Sequence, residues 1–405
     1  MRRFRSLIFL YLLFVILFGQ ADRPYVLLVS VDGFRPDYLQ WTDTPNLDRL
    51  IQQGVKAKSL QSIYPTKTFP NHYALATGMY AENHGLIANY FYDPKFDAIY
   101  QISDRSAVED ARWYGGEPIW VTAENQGVKT ASYFWVGSEA PIGGVQPSIW
   151  KRYEHDFPFE ARVDSVLAWF QLPEERRPHL VLLYFHEPDG VGHRYGPEGE
   201  ETLTVIRELD TLLGTLMEGL EGLDIYDQLN TIIISDHGMV ATSPERTIDL
   251  ADYTSLKGIT QENTGTFSSL YSGSKERMKQ IYEKLQKVPH IDIYWKDEIP
   301  ERWHYRNHYR VKDLLVVAEE GWSILNYTKP NASYFRGGNH GYDNTLWSMQ
   351  AIFIADGSAF KDGYTRDTFE NVNVYPIIAE ILGIEPFAKI DGNVENVRDI
   401  FRLKD

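Results

Sequence analysis

The chain has 405 residues, no cysteine and a formal net charge of −16. These facts exclude a disulfide scaffold and any thiolate metal site, and they argue against holding a nucleic-acid polymer on a broad basic face. A chain this long can bury a core large enough to stand without covalent staples.

Residues 1–21 read as a secretory signal peptide. Arg2, Arg3 and Arg5 precede the unbroken apolar run Leu7 to Phe18, and Gly19-Gln20-Ala21 follows with a small residue at the cut. The run is shorter than the roughly 20 apolar residues of a spanning helix. The expectation is an exported protein, periplasmic or secreted, from a bacterial envelope, with 22–405 as the mature domain.

Tyr25 to Val31 is continuous and apolar and ends in Asp32-Gly33, as a buried strand of a parallel sheet does. Thr44-Pro45 opens a helix, with Thr44 as its cap, and Gly54 closes it. Pro70 to Thr77 is a second helix, closed by Gly78. Val128 to Trp135 and Leu180 to Phe185 are further strands. Leu203, Ile206, Leu209, Leu213, Leu216 and Leu220 mark one face of a long helix. Thr231 to Ser235 and Ala351 to Ala355 are buried strands, and Val374 to Leu382 is a closing helix. Between about 249 and 336 lie a charged helix (Ser274 to Lys287) and short strands near His290 to Trp295 and Val311 to Val317. The order predicts an α/β fold: a mostly parallel sheet, helices on both faces, and a small inserted α+β subdomain.

Acids and histidines collect where strands end. Asp32, Asp189 with His193, and Asp236 with His237 all follow apolar runs, and His340 lies in the glycine-rich Gly338 to Asp343. Singly, each has an ordinary reading as a turn, a helix start or a loop residue. Together, at the ligand-binding edge of a doubly wound sheet, they are enough for two three-ligand metal sites with open positions. Thr68 stands where a helix begins, where free N–H groups favour an anion. Alone it reads as an ordinary helix cap.

The segment Pro65-Thr66-Lys67-Thr68-Phe69-Pro70-Asn71-His72-Tyr73 resembles the nucleotide pyrophosphatase/phosphodiesterase family of the alkaline phosphatase superfamily. The resemblance continues through Asn83-His84-Gly85, Asn89 to Pro94, Asp189 to His193, Ser235 to Met239 and Asn339 to Asn344, in the family's order. It implies an alkaline-phosphatase-like fold and two zinc ions. Asp32, Thr68, Asp236 and His237 would hold one, and Asp189, His193 and His340 the other. Thr68 would attack phosphorus and form a phosphothreonine ester. Asn89, with the backbone N–H after Thr68, would hold a non-bridging oxygen. Phe69 and Tyr153 match rings that sandwich a base, Trp135 belongs to a further pocket segment, and Glu139 could meet an exocyclic amine. The family's proline after that tryptophan is Val136 here. The resemblance thus implies hydrolysis of a phosphodiester or pyrophosphate bond in a small substrate, a nucleotide on the first reading and a choline headgroup on the second. The form is the catalytic domain alone.

Overall fold

In the computed structural model, which describes residues 23–402, the apolar runs become strands covered on both faces. The expected signal peptide lies outside the described residues. In chain order the main elements are β1 (Tyr25–Val31), α1 (Pro45–Gln53), β2 (Val55–Ala57), α2 (Thr68–Thr77), β3 (Thr130–Tyr133), β4 (Ile149–Lys151), α3 (Phe159–Phe170), β5 (Leu180–Phe185), α4 (Asp189–Tyr195), α5 (Glu200–Glu221), β6 (Leu229–Ile234), β7 (Phe353–Gly357), β8 (Tyr364–Arg366) and α6 (Val374–Leu382). The sheet order is β8-β2-β7-β6-β1-β5-β3-β4.

β1 sits at the centre, parallel to β5 on one side and β6 on the other. Its alternate residues face opposite layers. Val26 and Leu28 join Leu180, Leu182 and Ile232 against α2 and α6, through Tyr73, Ala74, Ile377 and Ile378. Leu27, Val29 and Val31 join Val181, Leu183 and Ile233 against α1, α3 and α5, through Leu47, Leu50, Val163, Val166, Ile206 and Leu209. Two buried faces favour a nearly continuous apolar run, and each fully buried side chain of this size stabilises by about 1.5–3 kcal/mol.

The sheet departs from the sequence reading in three places. β7 runs antiparallel to both β6 and β2. The sequence reading does not find the short strands β2, β4 and β8, of which β4 and β8 are the sheet's two edges. The strand expected over Val128 to Trp135 stops at Tyr133, because Phe134 turns into a left-handed backbone with φ +71° and carries Trp135 out of the sheet.

The stretch expected as an insertion holds an antiparallel sheet in the order Thr260–Glu262, Phe267–Tyr271, Leu314–Ala318, Ile291–Trp295. The helix Lys275–Leu285 packs on it through Met278, Ile281 and Leu285. The stretch joins the main body through apolar contacts, with Phe267, Trp303 and Tyr305 packed around Tyr64, and through a buried polar tie. Arg310 pairs with Asp93 Oδ2 at 2.6 Å and donates to the carbonyls of Gly85 (2.6 Å) and Trp113 (3.0 Å). No helix among the described residues is long and apolar enough to cross a membrane.

α1 is capped by a residue the sequence did not suggest. Thr44 makes no side-chain cap. Instead Asp210, on α5, accepts from the N–H groups of Asn46 (3.1 Å) and Leu47 (2.9 Å), and from Asn46 Nδ2 (3.0 Å). A carboxylate at a helix start satisfies orphan donors and opposes the dipole. Asp210→Ala is expected to cost about 2 kcal/mol, the range for hydrogen bonds to a charged group, in a urea unfolding midpoint. A change within error would show that water replaces the cap at no cost.

Candidate active site

Three neighbouring strands end together, and each delivers one carboxylate. Asp236 follows β6, Asp32 follows β1, and Asp189 opens α4 just beyond β5. The parallel registers put these three ends on one edge of the sheet. Gly33 permits the tight turn after β1. Its φ is +72°, and a Cβ there would lie 3.1 Å from the Asp189 Cα.

The outer oxygens of two of these acids are held by the protein. The Tyr184 hydroxyl donates to Asp32 Oδ2 at 2.6 Å, and the Gly33 N–H donates to Asp236 Oδ1 at 3.1 Å. The inner oxygens are not. Asp32 Oδ1, Asp189 Oδ1 and Asp236 Oδ2 are buried without a hydrogen-bond partner. Leaving such atoms unmatched is costly, so each needs a reason.

Imidazole nitrogens face the same space. His237 Nε2 lies 3.0 Å from Asp236 Oδ2 and 3.5 Å from Asp32 Oδ1. His193 Nε2 and His340 Nε2 lie 3.4 and 3.5 Å from Asp189 Oδ1. In all three rings Nδ1 sits against a backbone carbonyl: Gly338 for His193 (2.8 Å), Gly238 for His237 (3.0 Å) and Thr66 for His340 (2.7 Å). A proton on Nδ1 leaves a lone pair on Nε2, the tautomer that metal-binding histidines take. Mutually close donor sets form twice: Asp32, Asp236 and His237, and Asp189, His237 and His340. His237 belongs to both. His193 flanks the second set through Asp189.

The electrostatics of these groups are unsatisfied by the protein alone. Burial, then Asp236 and Asp189, push the Asp32 carboxyl well above its ordinary value. Burial would raise Asp236 too, but His237 and His72 hold it well below. Burial, then His237, Lys67 and His193, push His340 well below the usual imidazole range. Divalent cations between the inner oxygens and the Nε2 atoms would answer both the carboxylate repulsion and the orphaned atoms. Oxygen with imidazole nitrogen, and no thiolate, suits zinc.

Thr68 is the first residue of α2. Its Oγ1 lies 3.3 Å from His237 Nε2, beside the first donor set. The next N–H, of Phe69, meets Asn89 Oδ1 at 3.1 Å, so Asn89 stands beside the open helix end. Three neighbours were given no role in the sequence reading. His72, one turn along α2, spans the Thr68 carbonyl (3.0 Å), Asp236 Oδ2 (3.3 Å) and Ser30 Oγ (2.8 Å). Tyr184 carries the bond to Asp32. Lys67 Nζ donates to the His340 carbonyl, and burial draws its pKa down to about 8 against the pull of Asp189. His72 and Lys67 lie within the motif around Thr68, so proximity in sequence was the available signal. Tyr184 had none, being one polar tip in an apolar strand.

Residues 26–343 match the family described as type I phosphodiesterase / nucleotide pyrophosphatase. The chain belongs to that family. It is 38% identical over 384 residues to the venom phosphodiesterase of Naja atra, covering 90% of this chain and 45% of the relative, so it spans less than half of that protein's length. It is also 38% identical to a bis(5'-adenosyl)-triphosphatase of Xenopus laevis, covering 90% of this chain and 79% of the relative. A solved structure of murine ectonucleotide pyrophosphatase/phosphodiesterase 5, an inactive threonine-to-alanine variant in complex with AMP, superposes with a TM-score of 0.88 at 33% identity. It covers 94% of this chain and all of that one.

In this phosphodiesterase fold, two cavities flank the strand-end cluster. The smaller, about 240 Å³, is lined by Phe69, Trp135, Glu139, Tyr153 and Arg105, with Thr68, Asp32 and Asp189 at its floor. Trp135 is buried and its indole N–H donates to the His72 carbonyl at 3.1 Å, tying this wall to α2. Glu139, expected to meet an exocyclic amine, already has partners on both oxygens: the Tyr153 N–H on Oε1 (3.2 Å) and Arg105 on Oε2. The cavity therefore meets an ion pair rather than a lone carboxylate. The larger cavity, about 630 Å³, is lined by Lys67, Asn89, His193, Arg194, Arg336 and His340 among others, with no acid in its wall. Gly190 borders both.

Tyr184→Phe removes the donor to Asp32 Oδ2 while keeping the ring. It is expected to weaken metal retention roughly 10–100-fold in a chelator-competition titration, the usual cost of losing an outer-shell partner. Unaltered competition would mean that Asp32 needs no such support.

Proposed function

We propose that this chain is a two-zinc hydrolase of nucleotide phosphodiester and pyrophosphate bonds, releasing a nucleoside monophosphate through a phosphothreonine on Thr68. The observation that carries the reading is the placement of Thr68 Oγ1 at the open start of α2, 3.3 Å from His237 Nε2 and beside orphaned carboxylate oxygens. Asp32, Thr68, Asp236 and His237 would hold one zinc, and Asp189, His193 and His340 the other. When bound, the ions would supply charge against the developing negative oxygens and lower the pKa of a hydroxyl or a water.

The remaining chemistry belongs to the chain. Thr68 Oγ1 attacks phosphorus, the bond to the leaving oxygen breaks, and water then hydrolyses the threonine ester. Asn89 and the Phe69 N–H, now joined to each other, would hold a non-bridging oxygen, with Asn89 turning its amide NH₂ inward when the anion takes its place. A neutral amide suits a diester, which carries one charge fewer than a monoester. The smaller cavity would take the base between Phe69 and Tyr153. The larger would take the leaving group. Arg194 and Arg336 have no carboxylate partner among the described residues, and with Lys67 they make that cavity cationic in an acidic protein. That suits a leaving phosphate chain.

A choline headgroup is the second reading. A trimethylammonium is held by an aromatic cage or a free acid. Phe69, Trp135 and Tyr153 offer rings to either substrate, but Glu139 is taken up by Arg105, which puts positive charge in the cavity wall. This favours the nucleotide. Family membership and the apolar run after Arg5 support export, to a periplasm or outside the cell.

The discriminating experiment compares kcat/KM on a nucleotide aryl ester and a choline aryl ester, with a chelated control. A chelator-sensitive preference for the nucleotide is expected. A preference for choline would keep the catalytic centre and overturn the pocket reading. Thr68→Ala is expected to retain most of its zinc by elemental analysis and to lose at least about 10³-fold in turnover; near-normal turnover would remove Thr68 as the nucleophile.

A further inference from the structure

We propose that Arg162 is the positioning residue of the base-side wall, holding Tyr153 and His155 in register with the end of β5. The proposal rests on the nucleotide reading above. Arg162 lies in the first turn of α3 and is wholly buried. A buried guanidinium ordinarily faces a carboxylate. This one has no ion pair among the described residues, and its hydrogen bonds all go to backbone carbonyls. Nε and Nη2 donate to Phe157 O (3.2 and 2.8 Å), Nη2 also to His155 O (3.3 Å), and Nη1 to Tyr184 O (2.9 Å).

Those acceptors lie on separate stretches of chain. Tyr184 is in β5, and its hydroxyl reaches Asp32. His155 and Phe157 belong to the loop that follows Tyr153. The guanidinium also lies over the ring of Phe134, 4.9 Å from its centroid. Phe134 holds a left-handed backbone that disfavours a residue with a Cβ, so its surroundings must enforce it. Tyr153 packs edge-on against that ring at 5.1 Å, and its hydroxyl meets His155 Nδ1 at 2.9 Å. Phe134, Tyr153, His155 and Tyr184 all line the smaller cavity. One cation therefore fixes the wall on which a base would lie, and fixes it relative to the strand that orients Asp32.

Only arginine does this. A planar fork donates in several directions at once, whereas a lysine ammonium on the same stem reaches one or two carbonyls and stacks poorly. An apolar residue would fill the space and leave the loop carbonyls unmatched.

The test uses the full-length enzyme, Arg162→Lys, and two substrates: a nucleotide aryl ester and a small aryl phosphodiester without a base. The ratio of their kcat/KM values does not depend on how much enzyme is folded, so a loss of stability does not obscure it. Arg162→Lys is expected to shift the ratio about tenfold against the nucleotide, chiefly in KM, within the range for losing a base–ring contact. In a Tyr153→Ala background the same substitution is expected to shift it little, because its effect passes through that ring. Equal losses on both substrates, or effects that multiply in the double variant, would reduce Arg162 to a packing residue. If the unmutated enzyme shows no preference for the nucleotide ester, the nucleotide reading falls first, and this role falls with it.

Discussion

The organising constraint is the mutual repulsion of three acids brought to one edge of a sheet. β6, β1 and β5 run parallel and end together, so Asp236, Asp32 and Asp189 have nowhere to separate. The fold gives the outer oxygens of Asp32 and Asp236 a donor each, Tyr184 and the Gly33 N–H, and leaves the inner oxygens of all three open. Much of the surrounding architecture serves that arrangement. The strand Gly337–Asn339 pairs with Val240–Thr242 and brings His340 within stacking distance of His237. Gly238 allows that turn to pass beneath a neighbouring backbone, since a Cβ there would lie 2.2 Å from the Ser348 carbonyl. His193, His237 and His340 are each oriented from behind by a carbonyl, as a cation receptor would require.

The parts of this that sequence carried are those encoded locally. A strand covered on both faces is apolar along most of its length, so β1, β5 and β6 announce themselves, and the acids that follow them are read as strand-end residues. The helix from Val374 to Leu382 was bounded correctly for the same reason: a dense apolar run between polar residues and Gly383. The motif around Thr68 is contiguous, which is why a family resemblance could be seen there. Asp32, Asp189, Asp236 and the three histidines do converge in space, though their division between two ions remains the proposal made above.

What stayed hidden depends on partners far along the chain. Asp210 caps a helix through Asn46, 164 residues earlier, and nothing in α5 marks it as other than a polar position. The direction of β7 is set by where the inserted stretch releases the chain, not by its own residues. Arg162 and Tyr184 look like a stray charge and a stray hydroxyl until the loop and the sheet close around them. The charge of Glu139 was legible, but Arg105, 34 residues away, takes it up. The three-residue strands β2, β4 and β8 carry too few side chains for any period to show.

On the reading proposed above, the two cavities would also bear on the order and the stereochemistry of events. The small one would enclose what stays attached to Thr68, and the large one what departs. A leaving group could then diffuse away while the other half of the substrate stayed fixed, and water would enter through the doorway just vacated. Attack from Thr68 and attack by that water would come from opposite sides of the same phosphorus. Two successive in-line displacements would return the phosphorus to its original handedness, so net retention of configuration would follow.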